Sequence, residues 1–270
     1  MKCYIDSVVV DSRIQADDIR ELIPDALLRR RMSRLLRTAV ATAVSCVGGV
    51  ENIASLDAII TATGWGCLTD SERFLRNMIS EDEQLLNPTP FIQSTFNTVG
   101  GIIALMGKNH CYNMTYVNRS HSFEDALLDS MIRVADGSSR NLLVGAFDEQ
   151  TQSQYRIMER MGVFRSQSPG EGSVFVSILS EKSQSSLAQL VRLDFPGNSL
   201  NETEVLERYA SSSASLLLFN SYRDKGLFPT ASAHSFARAV ELIRCGESEV
   251  VVYNEYLGAT PAVSVVQCVG

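Results

Sequence analysis

The stretch that decides the fold is Tyr112-Asn113-Met114-Thr115-Tyr116-Val117-Asn118-Arg119-Ser120-His121-Ser122-Phe123-Glu124-Asp125-Ala126-Leu127-Leu128. Residues 114–117 mix β-branched, aromatic and apolar side chains, as a buried strand does. Ser122 with Asp125 three positions on is expected to cap a helix. Phe123, Ala126, Leu127 and Met131 recur at helical spacing, so the helix has one apolar face. A strand that runs directly into a helix sets its turn residues at the positive end of the helix dipole, where nucleophiles and anion sites are commonly found. Here that turn offers Asn118, Arg119, Ser120 and His121, and no cysteine.

Working outward, the chain has 270 residues, enough for one large domain or two fused halves. Its 45% hydrophobic content can fill a substantial core, and its net charge of −7 argues against a general nucleic-acid binder. No run of about 20 apolar residues suggests a membrane span, and the N-terminus lacks the apolar segment of a signal peptide. The six cysteines are scattered and lack metal-binding spacing, which points to a cytoplasmic protein with reduced, largely buried thiols and no metal or cofactor.

In chain order, residues 2–10 form a strand and residues 25–47 one helix, ended by Val47-Gly48-Gly49. Residues 56–63 are an apolar strand, as in a sheet covered on both faces. Residues 70–80 are a helix with Phe74, Leu75 and Met78 turned inward. In the apolar run 92–106, Gly100-Gly101 costs about 1 kcal/mol per glycine in a helix unless another group packs very close. Residues 141–147 are a strand, 152–161 a helix and 173–179 a strand. After the polar break at 183–186 come a strand at 187–193, a helical region at 202–222, a helix at 233–244 and strands at 249–254 and 262–266. The alternation implies a mostly parallel α/β sheet. A weak internal repeat pairs the strands 141–149 and 174–178 with 249–255 and 262–266.

These residues resemble the β-ketoacyl synthase group of the thiolase superfamily. More closely, they resemble the short chain-length-factor proteins of aryl polyene and related bacterial pathways. The matching pieces are Leu28-Arg29-Arg30-Arg31-Met32-Ser33-Arg34, Thr63-Gly64-Trp65-Gly66-Cys67-Leu68, Asn87-Pro88-Thr89-Pro90-Phe91-Ile92-Gln93-Ser94-Thr95, Val144-Gly145-Ala146-Phe147-Asp148-Glu149 and Gly170-Glu171-Gly172-Ser173. The resemblance implies two βαβαβαββ halves around a pseudo-twofold axis. Residues 1–182 would be the synthase-like half and 187–270 an abbreviated second half. It also implies pairing along the strand at 114–117, with an active synthase or with a second copy, and service by an acyl carrier protein.

The family's chemistry uses a cysteine at the strand–helix turn and two histidines. A helix N-terminus lowers a thiol pKa usefully but does little for an alcohol, which needs a base. Aligning Ala126 with the family's motif alanine puts Ser120 at the cysteine position, with His121 beside it. The second histidine position falls at about Ser232, with His234 two residues on. The loop for the other histidine is absent or compressed into residues 224–229. The Cys-His-His set is therefore missing, and a non-condensing subunit is expected. The alternatives are an acyltransferase or condensing enzyme using Ser120 with His121 or His234, and a non-catalytic acyl-binding homodimer.

By the same resemblance Tyr116, Asn118, Arg119 and Phe123 are candidates to line an acyl channel. Arg30, Arg34 and Arg37 are candidates for a face that meets an acidic carrier protein. Plainer readings stand beside these: a helix cap for Ser122, backbone satisfaction for Asn118 and Arg119, a solvated arginine face, a brace for Glu171, and inert burial for Cys67 and Cys111.

Overall fold

A computed structural model describes residues 3–84 and 86–270; the first strand was expected to begin at Lys2, which lies outside them. The strands are β1 (Cys3–Val10), β2 (Ala58–Ala62), β3 (Tyr112–Tyr116), β4 (Asn141–Asp148), β5 (Gly172–Leu179), β6 (Ala188–Asp194), β7 (Leu216–Phe219), β8 (Glu249–Asn254) and β9 (Ala262–Gln267). The helices of the first half are α1 (Asp18–Leu22), α2 (Ala26–Arg31), α3 (Arg34–Cys46), α4 (Val50–Ile53), α5 (Leu68–Ser80), α6 (Pro88–Gln93), α7 (Thr98–Met106), α8 (Ser122–Ala135) and α9 (Gln152–Arg160). The second half has α10 (Glu202–Tyr209) and α11 (Ser232–Arg244).

The strands form one sheet in the order β3-β2-β4-β5-β1-β6-β9-β8-β7. Outward from the middle, the first half runs β1-β5-β4-β2-β3 and the second β6-β9-β8-β7. The second half thus repeats the first and stops one strand short. This is the thiolase-like pair of halves about a pseudo-twofold, with the second abbreviated. The weak repeat seen in the sequence is β4–β5 against β8–β9.

Side-chain alternation assigns the layers. Ile60, Val144, Val250 and Val252 face the inner core, with Phe123 and Leu127 of α8 and Phe236 and Val240 of α11. The rings of Phe123 and Phe236 meet edge to face, centroids 5.6 Å apart. Ile59, Leu143 and Phe147 point the other way, to the core under α3 and α7. Val251 and Tyr253 pack with Val205 and Tyr209 of α10.

Several expectations need correction. The sheet is mixed: β2–β3, β2–β4 and β7–β8 are parallel. The pairs β1–β5, β1–β6, β4–β5, β6–β9 and β8–β9 are antiparallel. The helix expected over 25–47 breaks into α2 and α3, because Met32 and Ser33 adopt extended backbone. The region 202–222 holds one α-helix, α10, then the strand β7 and the start of a 3-10 turn at Ser221. Leu75 of α5 points to solvent, whereas Phe74 packs on Phe91. The close approach expected at the glycine pair holds for Gly100, which the Asn113 side chain meets, its Nδ2 donating to the Gly100 carbonyl at 2.9 Å, but not for Gly101, which faces open space. Cys46 and Cys67 are buried with Cys3, but Cys111, Cys245 and Cys268 are exposed.

Candidate functional site

The strand–turn–helix lies where the two halves meet. β3 ends at Tyr116, one 3-10 turn spans Arg119–His121, and α8 follows. Arg119 has φ +51°, a left-handed conformation that is costly for a residue with a Cβ. Ser122 is the first residue of α8 and makes no cap bond. Its hydroxyl instead accepts from the Asn118 N–H at 2.8 Å and reaches the carbonyls of Thr63 (2.9 Å) and Arg119 (2.8 Å). The side chain expected to cap the helix thus pins the turn to the end of β2. Asn118 Nδ2 donates to Asp125 at 2.9 Å, which ties the turn to α8.

A second clasp joins the halves. Asp148, at the end of β4, is fully buried. It accepts from the Thr63 hydroxyl (2.8 Å), the Gly64 N–H (3.0 Å) and the Trp65 N–H (2.7 Å). Thr230, just before α11, gives it both its N–H (3.1 Å) and its hydroxyl (2.8 Å). Burial pushes its pKa up to about 6 against these donors. A Cβ on Gly64 would lie 2.2 Å from the Pro229 Cβ, so the two halves approach here as closely as they do only because Gly64 has none.

Ser120 is half-buried beside this clasp and, among the described residues, its hydroxyl makes no hydrogen bond. It opens onto a cavity of about 10 Å3, lined by Glu124, Tyr222, Phe228, Ser232 and Tyr256. That is the room of about one water molecule. Tyr222 and Phe228 are both buried and fill the space beside the serine.

Neither histidine is hydrogen-bonded to that serine. His121 Nε2 sits 2.5 Å from the Thr260 carbonyl and therefore carries the proton as donor. Its ring meets Phe195 edge-on at 5.4 Å. His234 is buried with both ring nitrogens unpartnered. Burial lowers its pKa to about 4, so it is neutral. It lines a separate hollow with Lys225, Arg238 and Glu241, not the cavity at Ser120.

Of the channel candidates, Phe123 is core. Tyr116 stands on the edge strand, its hydroxyl pushed up to about 12 by burial and by Asp129. Asn118 and Arg119 shape the turn. The strand at 114–117, expected to be buried, is the sheet edge: Met114 and Val117 are 40% and 43% exposed. Arg30, Arg34 and Arg37 do come together, with Arg20 and Arg29, around a hollow of about 340 Å3. Arg34 also pairs with Glu171 at 2.6 Å, and Glu171 accepts from the Gln150 N–H, so it braces the turn before β5.

Sequence reasoning missed Glu124. It is 4% exposed, and burial pushes its carboxyl up to about 7. The signal was its position four residues after Ser120 and three before Leu127, on the inward side of α8.

Fold and site together define a chain with the ketosynthase architecture, an alcohol at the elbow and no imidazole on it. The chain belongs to the family described as beta-ketoacyl synthase, N-terminal domain, whose model matches residues 12–216. No curated protein matches it. Among solved structures it is similar to a type II PKS acyl-carrier protein in complex with its ketosynthase bound to the hexaketide, with TM-score 0.78, 11% identity and 99% of each chain covered. It is also similar to the ishigamide ketosynthase/chain length factor, with TM-score 0.74, 14% identity and 100% of each chain covered. A third is a ketosynthase in complex with its chain length factor from Xenorhabdus doucetiae, with TM-score 0.60, 15% identity and 99% of each chain covered. At these identities the likeness is one of fold.

Proposed function

We propose that this chain is a non-catalytic ketoacyl-synthase-like subunit of the chain-length-factor kind. It pairs with an active synthase and helps shape the channel for an acyl or polyene chain carried on acyl carrier protein in the cytoplasm. The observation that carries this is the aromatic-filled cavity at Ser120. A condensing enzyme needs room for a thioester and a base for its nucleophile; about 10 Å3 leaves neither acyl chain nor imidazole a place there. The likeness to ketosynthase/chain length factor structures supports the same reading.

The pairing surface is the β3 edge. Among the described residues no strand pairs with its outer side, and an open edge invites another strand. Met114 on it and Val117 just after it, with Ile132 on α8 and Leu105 on α7, expose apolar surface that a partner would cover. The arginine hollow is the face for an acidic carrier protein.

Co-expression with a synthase, followed by native mass spectrometry, tests the proposal. A one-to-one complex is expected, and Met114→Glu with Val117→Glu abolishes it while leaving the fold intact. If the wild-type chain stays a monomer with the synthase present, the reading fails. A complex of two copies of this chain alone would replace it with the acyl-binding homodimer.

A further inference from the structure

Burying a polar atom without a partner costs about 1–3 kcal/mol, so such atoms point to something that satisfies them. Three of the buried side-chain atoms without a hydrogen-bond partner are Glu124 Oε2, Ser232 Oγ and Asn254 Oδ1. All three residues line the one cavity beside Ser120. Glu124 and Ser232 are 4% and 5% exposed, so bulk solvent does not satisfy them. Ser232 faces Glu124 closely enough to lower its pKa, yet the two do not close a direct hydrogen bond.

The chemistry of the lining defines the occupant. The amide oxygen of Asn254 accepts, and the Glu124 carboxyl accepts when ionised and can donate when protonated, so the occupant must both donate and accept. The hydroxyls of Ser232 and Ser120 are free to donate to it. The Thr260 carbonyl, also at the wall, already accepts one bond from His121. The space of about 10 Å3 admits one heavy atom. A water molecule, with two donors and two acceptor sites, matches this set; an acyl group, a thioester or a carboxylate does not fit.

We infer that the cavity is a binding site for a single water molecule, held by Glu124, Asn254, Ser232 and Ser120 across the junction of the two halves. Glu124 and Ser120 come from the first half, and Ser232 and Asn254 from the second. The water therefore joins the halves at the level of the elbow and engages the Ser120 hydroxyl in a structural contact. The inference stands on the lining alone and does not depend on which partner the chain binds.

A high-resolution crystal structure of the wild-type chain is the direct test. A single density peak is expected within about 3.2 Å of at least three of the four side chains. An empty cavity overturns the inference. So does an anomalous peak at that point after a rubidium soak, which would make it a cation site. In solution, water-to-amide cross-peaks of a long-lived water are expected at the backbone N–H groups of Glu124 and Ser232. They should vanish in Ser232→Val, which fills the space with an apolar group, while the rest of the spectrum is kept. No such cross-peaks in the wild type, or their persistence in the variant, counts against the site.

Discussion

Replacing Asp148 should separate its two duties: accepting from the first half's turn and from the second half's Thr230. In Asp148→Ala three backbone N–H groups, those of Gly64, Trp65 and Thr230, lose their acceptor and cannot rotate away. The two hydroxyls can turn to other partners. Three orphaned donors at about 1–3 kcal/mol each, partly relieved by water entering the vacated space, give a loss of about 4 kcal/mol. That is a large share of the roughly 5–15 kcal/mol that holds a domain together. Asp148→Asn should cost about half as much. Its carbonyl can still serve Thr63, Gly64 and Trp65, and the Thr230 hydroxyl can turn to accept from the new amide. Only the Thr230 N–H is then left facing a donor. Urea unfolding at about pH 8, where the native carboxylate is ionised, measures both. The single tryptophan, Trp65, donates its own N–H to Asp148 and so reports the transition from within the clasp. An alanine variant within about 1 kcal/mol of wild type would refute the clasp. So would an asparagine variant as unstable as the alanine one, since that would mean charge and not donor satisfaction matters.

Two further outcomes follow from the packing and the charges. The Glu124 carboxyl has its folded pKa raised from 4.5 to about 7 by burial. Its contribution to stability is therefore full below about pH 4.5 and lost as pH rises through about 7, a decline of about 3 kcal/mol. In Glu124→Gln that decline should be absent from urea midpoints taken between about pH 5 and 8; an unchanged slope would show that Glu124 is not its source. A Cβ on Gly145 of β4 would sit 2.1 Å from the Phe175 ring on β5. Gly145→Ala should cost about 1–3 kcal/mol, and adding Phe175→Leu should recover part of it; strict additivity in a double-mutant cycle would exclude this contact as the cause.

Much of the fold was legible because it rests on local signals. The strand-to-helix run at 112–128, the largely apolar strands β2 and β4, and the glycines after α3 each announce themselves within about ten residues. The topology was not legible. Alternation of strands and helices suggested parallel pairing, but β5 and β9 each follow their neighbour without a crossover helix that returns the chain to the same end, so they run antiparallel. β7 was hidden because Leu216-Leu217-Leu218-Phe219 is made of good helix formers. Four residues are too few to show a period of two. The break at Met32-Ser33 carries neither proline nor glycine; its one local mark is Ser33, a residue type favoured at a helix N-cap, inside an otherwise helical run. At the site, Ser120 was found from the position of the elbow. Glu124 was passed over because a charge on a helix is ordinarily solvated, and its burial arises from α11 and the β9 side of the second half, which are distant in sequence.

The missing strand in the second half bears on how the chain can associate. A sheet with two open ends could grow at either. At the far end, β7 is half-buried under α10, where Tyr253 stacks on Phe219 with centroids 4.6 Å apart. Tyr209 of α10 is held there by Asp194 at 2.7 Å and covered by the Arg192 guanidinium 4.4 Å above its ring. Those charges belong to β6, three strands in from the edge, so they anchor α10 across the sheet rather than rim β7 itself. At the near end, Met114 of β3 and Val117 just after it are exposed. A polar cluster there, Tyr112 with Asp129 and Arg133, lies on the α8 side of the strand. An incoming strand would gain backbone hydrogen bonds at either edge, but at β3 it would also cover the exposed Met114 and Val117. Association is therefore expected at the end of the sheet beside the Ser120 elbow. There a partner's own elbow, related by a twofold along the paired strands, would lie close to this one, while this chain's elbow remains closed.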